Sequence, residues 1–401
     1  MPRDSRATTL PSPDLDRLAS RIGDWLIREA RFFDNNTVVL QEFCTRVAAA
    51  GIAIDRVSLH QRALHPVYRG VSRIWRSGGG EIEELFLDHG IEKTATYLES
   101  PVRGVVEDGD SYEWRLDGGG ILPFALLDEL RDQGYAHYAI APLPYTVGMF
   151  AALSWATRRS GGFTAAEMQF FRDVLPQYSV VAELKALRRF IGSILDTYVG
   201  REAGQLILDG QVRRGDTKTI TAALMLVDLR DFTMLSDRLS PQAVLRMLNQ
   251  YFDCVMPPIH EHGGEVVEIM GDGVLAIFNH DQERSAAAAC GAALAAAEAG
   301  LAALAARNQR HPAVQLNAGV ALHYGTVSYG NIGSGERLDF TVIGPDVNLT
   351  SRIERLCREL DRSLIVSEAF AETVDRQMWE IGHFGMRGFA KMQRLFEPPQ
   401  D

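Results

Sequence analysis

Cysteine is scarce: Cys44, Cys254, Cys290 and Cys357 are the only four in 401 residues, and no two form a CxxC pair. A zinc site or a disulfide framework is therefore not expected, and a reducing cytoplasm suits the chain. Positive charge is also short, with 41 Lys and Arg against 52 Asp and Glu and a formal net charge of −11. That balance, with no basic stripe, argues against a nucleic-acid binder. It leaves nucleotides open as substrates, because a phosphate site needs only local positive charge. No apolar run reads as a membrane span. The nearest, Ser285 to Ala306, is mostly alanine and contains Glu298, so it reads as an Ala-rich helix of a soluble protein. The N-terminal MPRDSRATTLPSPD is polar and lacks a signal-peptide core, and residues 1–14 are expected to be disordered.

What is present is the composition of an ordinary globular protein, and the length predicts two or three domains. Helical spacing runs from Leu15 to about Gly51, through Leu18, Ile22 and Leu26 and then Val39, Phe43 and Val47. Strand character follows over Val57 to Leu64 and Val67 to Trp75, with a glycine-rich turn at Ser77 to Gly80. Glu83 to His89 is a short helix candidate, Ser111 to Leu116 a strand and Phe124 to Gln133 a helix. Ala136 to Pro142 and Met149 to Ala156 read as paired antiparallel strands. Thr164 to Val174 reads as a helix, with Thr164 and Glu167 in a capping-box pattern. Val180 to Leu208 is a helical connector whose stripe includes Leu184, Leu187, Ile191, Ile194 and Leu195. Either the stripe forms a two-stranded coiled coil across a dimer axis, or it packs on its own domain.

The strongest chemistry lies further on. Gly263 to Phe278 reads GGEVVEIMGDGVLAIF, two apolar strands around Gly271-Asp272-Gly273, a hairpin with a carboxylate at its tip. A rigidly held carboxylate can bind a hard cation, although Asp272 is also an ordinary turn former. Ala222 to Val227 is an apolar strand ending in Asp228, followed by a loop, Leu229 to Thr233, whose backbone N–H groups at a helix start can cradle phosphate. Pro241 to Met256 is an amphipathic helix. Asp228 and Asp272 together suit two metal ions bridging the phosphates of a nucleoside triphosphate. Asp339 to Glu354, DFTVIGPDVNLTSRIE, reads as strand, Gly-Pro turn and helix, with Asn348 and Arg352 one turn apart on one face. A guanidinium there could neutralise an α-phosphate and an amide orient a ribose. The plainer reading pairs Arg352 with Glu354 or Glu359 on a solvated helix face.

The three ordered motifs VDLRDFT, GGEVVEIMGDGVLAIF and FTVIGPDVNLTSRIE resemble the catalytic domain of class III nucleotide cyclases, the adenylate/guanylate cyclase family, over residues 217–397. The resemblance implies that Asp228 and Asp272, with the Leu229 backbone carbonyl, hold two divalent cations, Mg²⁺ or Mn²⁺. It makes Asn348 and Arg352 the transition-state pair. It assigns phosphate binding to Phe232 and Thr233 and to a basic residue in the tail, Arg387 or Lys391. It implies an α+β fold with a ferredoxin-like cyclase domain, and a homodimer in which one subunit supplies the aspartates and the other Asn and Arg. The element order over residues 15–185 resembles a GAF-like α/β sensor domain, joined through a helical linker over residues 186–216. That likeness implies a small-molecule regulator or a dimerisation role. Trp75, Tyr112, Trp114 and Trp155 either line a pocket there or are core and surface aromatics.

Base choice rests on two residues. Adenylate cyclases of this family usually carry Lys four residues before the second metal Asp, paired with Asp or Thr seven before the catalytic Asn. Here these positions hold Glu268 and Thr341. A carboxylate suits the N1–H and N2 amino donors of guanine and opposes the N1 acceptor of adenine, while a hydroxyl serves either base. GTP is therefore expected over ATP. An adenylate cyclase and an inactive nucleotide-binding homologue are the alternatives. The intact Asp228, Asp272, Asn348 and Arg352 count against the last.

Overall fold

The computed structural model describes residues 12–63, 65–146 and 151–399. The chain divides into two compact units, residues 1–194 and 195–401. Leu64, Met149 and Phe150, expected in strands, lie outside the described residues, as does 1–11 of the segment expected to be disordered.

The N-terminal unit opens with helices α1 (Ser12–Arg28) and α2 (Asn36–Ala49). Helix α1 therefore begins inside the stretch expected to be disordered. Strands β1 (Arg56–Arg62), β2 (Tyr68–Arg76) and β3 (Glu83–Asp88) follow, then α3 (Ala95–Leu98), α4 (Pro101–Asp108), β4 (Tyr112–Arg115), α5 (Ala125–Asp132), β5 (His137–Leu143) and β6 (Ala151–Thr157). They form one antiparallel sheet in the order β3-β2-β1-β6-β5-β4. Alternation along β5 and β6 explains the layering. Ala139, Ala141, Leu153 and Trp155 face the core shared with α1 and α2, whereas Tyr138, Ile140, Ala152 and Ala156 face α4 and α5. Trp75 and Trp155 are core residues and Tyr112 and Trp114 pack against the second cluster.

Glu83 to His89 was expected to be helical and is strand β3 instead. Glycines 78, 79 and 80 all take positive φ and turn the chain back, so that Glu84 falls opposite Arg73 of β2. The buried Arg73 guanidinium donates to Glu84 at 2.9 Å, and this cross-strand pairing overrides the helix preference of a short Glu/Leu segment.

The exit helix and the connector are one helix, α6 (Ala165–Val199), rather than two segments. It starts on the expected capping box: Thr164 N donates to Glu167 at 2.8 Å, and Glu167 N donates to Thr164 Oγ1 at 3.2 Å. Gly200, at φ +91°, ends it. From Leu184 onward its apolar stripe is only partly covered, with Leu184 and Ile191 about half exposed.

In the C-terminal unit, α7 (Arg201–Leu208) leads to the long strand β7 (Thr217–Leu229), then α8 (Phe232–Arg238) and α9 (Pro241–Glu261). The hairpin β8 (Glu265–Met270) and β9 (Gly273–His280) is followed by α10 (Ala286–Arg310), β10 (Ala318–Gly333), β11 (Leu338–Ile343) and α11 (Pro345–Glu359). Strand β12 (Leu364–Ser367), α12 (Glu368–Thr373), β13 (Trp379–Phe384) and β14 (Gln393–Glu397) complete it. The sheet order is β13-β14-β12-β10-β7-β9-β8, with β11 on β10. Odd positions of β7, Ala223 to Leu229, pack against α9 and α10. Even positions, Ala222 to Leu226, face the opposite side, and Asp228 continues that row. Helix α10 is long and apolar enough to cross a membrane, and it packs Ala289, Cys290, Ala293 and Leu294 into the core of this unit.

One carboxylate ties α7 to the hairpin. Glu265 accepts from the Glu202 backbone N at 3.0 Å and from Tyr329 Oη at 3.2 Å. Burial first, then the Glu202 charge, pushes its carboxyl up to about 7 from an ordinary 4.5. The folded state thus holds this proton more tightly than the unfolded chain. The associated stability is complete below 4.5 and is lost as pH rises through about 7. Glu265→Gln, a neutral mimic of the protonated form, is expected to lose less melting temperature than wild type between about pH 5 and 8. Parallel curves would remove Glu265 from the pH response.

Candidate active site

The apolar run of β7 pairs antiparallel with β9, Val227 opposite Val274. That register sets Asp228 beside the β8–β9 turn, and a Cβ on Gly273 would lie only 3.5 Å from Asp228 Oδ1. Met270 pairs with Gly273, so Gly271 and Asp272 form the loop, with Gly271 alone in the left-handed region at φ +69°. Asp228 and Asp272 are consequently hydrogen-bond neighbours. Burial first, then the Asp272 charge and the shared hydrogen bond, push the Asp228 carboxyl up to about 6. Its side chain keeps 29% exposure, open enough for a ligand. Two mutually repelling oxygen donors of this kind fit a hard divalent cation, whose charge would reverse that shift.

Three further residues surround the pair and were missed from the sequence. Glu354 of α11 is buried, and burial followed by the Asp228 charge pushes its carboxyl up to about 7. Tyr251 lies fully buried within the field of all three carboxylates. Arg358 Nη2 stands 4.0 Å from Asp228 Oδ2. Glu354 did carry a signal: it shares the buried stripe of Leu349, Thr350, Ile353 and Cys357, where a charge is out of place.

Leu229 is buried immediately after Asp228, and its loop leads to Phe232 and Thr233 at the start of α8. The N-cap Asp231 sits at φ +59° and makes no capping bond with its side chain. The helix's first N–H groups therefore receive no help from that residue.

Glu268 and Thr341 come together although β8 and β11 are not paired. The Thr341 hydroxyl donates to Glu268 Oε2 at 2.9 Å. Both belong to exposed or half-exposed positions facing solvent.

Asn348 and Arg352 lie on α11, and neither makes a side-chain hydrogen bond or ion pair among the described residues. Among the described residues neither makes a hydrogen bond or ion pair with Asp228 or Asp272. Asp346, two residues before Asn348, accepts from Thr326 N at 2.7 Å, which anchors the start of α11 on β10. Asp228 pairs with Gly319 of β10. Seven strand residues separate those two positions, roughly 23 Å at about 3.3 Å per residue. Arg352 also precedes Glu354 by two residues, about 200° around the helix, so it points away from the side that meets Asp228. Arg387 and Lys391 are exposed in the β13–β14 loop. Met386 and Phe389 of that loop pack with Leu349 and Ile353, which puts it beside the helix of Asn348 and Arg352. The site residues thus fall into two halves of one chain.

Residues 216–393 match the model of the adenylate and guanylate cyclase catalytic domain. Adenylate cyclase 1 of Rhizobium meliloti is 33% identical over 147 residues, 36% of this chain and 22% of that protein. The adenylate cyclase of Anabaena cylindrica is 28% identical over 185 residues, 46% of this chain and 36% of that protein. The chain therefore spans well under half the length of these relatives. The crystal structure of the adenylyl cyclase CyaB from P. aeruginosa aligns with a TM-score of 0.42 at 22% identity, over 46% of this chain and 97% of that one. The family match falls on the unit in which the three ordered motifs fold together, and residues 216–393 are accordingly a class III adenylate/guanylate cyclase catalytic domain.

Proposed function

We propose that the chain is a homodimeric purine nucleotide cyclase, converting a nucleoside triphosphate, GTP over ATP, to its 3′,5′-cyclic nucleotide and pyrophosphate. The observation that carries this reading is the separation of the two half-sites. Asp228, Asp272, the Leu229 carbonyl and the α8 N–H groups form one set, and Asn348, Arg352 and the β13–β14 loop form the other. A second copy, related by a two-fold axis, sets each half-site against its complement and so forms two complete sites.

Asp228 and Asp272 would hold two Mg²⁺ or Mn²⁺ ions, which when bound lower the proton affinity of the ribose 3′-hydroxyl and neutralise the triphosphate. Asn348 orients the ribose. Arg352 takes up charge growing on the α-phosphate as the 3′-oxygen bonds to phosphorus and the bond to the leaving pyrophosphate breaks. The N–H groups of Phe232 and Thr233 and the cation of Arg387 or Lys391 hold the outer phosphates. No side chain forms a covalent intermediate, so positioning and charge stabilisation supply the rate.

Glu268 accepts from guanine N1–H and N2–H, its Oε1 being free of Thr341. A second reading, ATP as substrate, draws on the relatives named adenylate cyclase and on Thr341. With its proton spent on Glu268, that hydroxyl accepts, which suits the adenine N6 amino group. The N-terminal six-stranded sheet between helical layers supports a GAF-like regulatory unit. The α+β sheet of the catalytic domain supports the ferredoxin-like description, and a cytoplasmic setting suits four unpaired cysteines. The test gives the purified chain ATP and GTP separately, with Mn²⁺ or Mg²⁺, and quantifies cyclic products. GTP turnover is expected to exceed ATP turnover. Product from neither would reject the enzyme, and an ATP preference would reject the base assignment.

A further inference from the structure

A cavity of about 470 Å³ opens in the N-terminal unit between the start of α2, the ends of β1 and β2, and α6. Its volume lies within the range of about 300–1,000 Å³ usual for small-molecule sites. Five cations line it, Arg62, Arg73, Lys185, Arg188 and Arg189, against one lining carboxylate, Asp34. That excess is unexpected in a chain of net charge −11.

The cations are unequally satisfied. Arg73 is answered by Glu84 at 2.9 Å, Lys185 donates to the Arg31 carbonyl at 2.6 Å, and Arg189 donates to Tyr68 Oη at 3.3 Å. Arg62 and Arg188 make no side-chain hydrogen bond or ion pair among the described residues. The crowding is felt by its members: burial and then Arg188 hold the Lys185 ammonium below its usual range, and burial and then Arg189 do the same to His65. Asn36 helps to fix the cavity wall. It lines the cavity at 4% exposure, and its Nδ2 donates to Gln61 Oε1 and to the Ala182 carbonyl, both at 3.1 Å. Its Oδ1 has no partner.

We propose that this cavity binds a small organic anion bearing a phosphate or at least two carboxylates. Arg62, Arg188 and Arg189 meet the anionic groups. The start of α2 at Asn36 adds the positive end of a helix. Such an occupant fastens α6 to α2 and β1, and α6 is the helix that runs unbroken to Val199. The assignment stands whether or not the chain turns over a nucleotide.

The test is calorimetric titration of the full chain, free of divalent metal and at fixed ionic strength, with inorganic phosphate and, separately, citrate. Whichever anion binds identifies the head group. The Arg62→Gln/Arg188→Gln double variant, altered only at exposed positions, is expected to bind at least tenfold more weakly. Arg352→Ala in the catalytic domain is expected to bind as wild type does. Hydrogen exchange should show anion-dependent protection over residues 34–38, 61–63 and 185–193. The proposal is overturned if neither anion binds, if the double variant binds as tightly as wild type, or if protection appears over 228–233 and 268–272 instead.

Discussion

Asp228→Ala and Arg352→Ala are each expected to lose cyclase turnover by about 10³-fold or more, since each removes an electrostatic element of the reaction. Mixed in equal amounts, the two inactive proteins are expected to recover about a quarter of wild-type activity, because half of the dimers then carry one intact site of two. The reason is the placement of α11. Its start is pinned at Thr326, seven residues along β10 from the partner of Asp228, and Glu354 rather than Arg352 occupies the face turned to the aspartates. A site complete within one chain would predict no recovery on mixing. Failure to recover, with both proteins folded and dimeric, would sink the shared-site reading.

Loss of activity in Asp228→Ala can be separated from loss of fold. Burial and the Asp272 charge push the Asp228 carboxyl up to about 6, so the ionised group is held unfavourably in the metal-free protein at neutral pH. Removing it relieves that repulsion, and melting of the metal-free variant is expected at or above the wild-type temperature. Added Mn²⁺ should raise the wild-type melting temperature and leave the variant's unchanged, since only a folded-state ligand site shifts the equilibrium. A variant stabilised as much as wild type would remove Asp228 as a metal ligand.

Much of this geometry was legible in residue patterns, and the exceptions have physical causes. The apolar run ending at Asp228, the Gly-Asp-Gly hairpin and the Thr164–Glu167 capping box are local signals, written in residues a few positions apart. The juxtaposition of Asp228 and Asp272 is not local, because it arises from the β7–β9 register. The contact between Thr341 and Glu268 is less local still, because β8 ends the sheet path while β11 branches from β10, and no strand ladder joins the two. Strand β3 misled because Glu-Glu-Leu-Phe-Leu-Asp has no decisive period, and its conformation is imposed by β2 and the buried Arg73. In the sequence Glu354 offers itself only as an alternative solvent-side partner for Arg352, beside Glu359. Two residues along a helix is the wrong spacing for a pair, and the buried stripe it occupies identifies it better than its charge does.

Glu268→Lys is expected to move the GTP-to-ATP ratio of kcat/KM toward ATP by about tenfold or more, as a mismatched acceptor pair costs about 1–3 kcal/mol. In the wild-type chain a carboxylate stands on β8 with one oxygen engaged by Thr341 and the other unengaged. Facing adenine N1 it sets acceptor against acceptor; facing guanine it receives N1–H and N2–H. An ammonium reverses both relations, donating to adenine N1 and repelling the guanine donors. The change also frees the Thr341 hydroxyl proton, leaving a group that accepts from adenine N6 or donates to guanine O6, so the shift rests on position 268. Glu268 is exposed on its strand, and the substitution leaves the cores untouched. Thr341→Ala should move the ratio less, because a hydroxyl that both donates and accepts discriminates weakly between the bases. A ratio unchanged by Glu268→Lys, in a protein that still turns over either nucleotide, would show that this carboxylate does not read the base and that its bond to Thr341 is only a brace between β8 and β11.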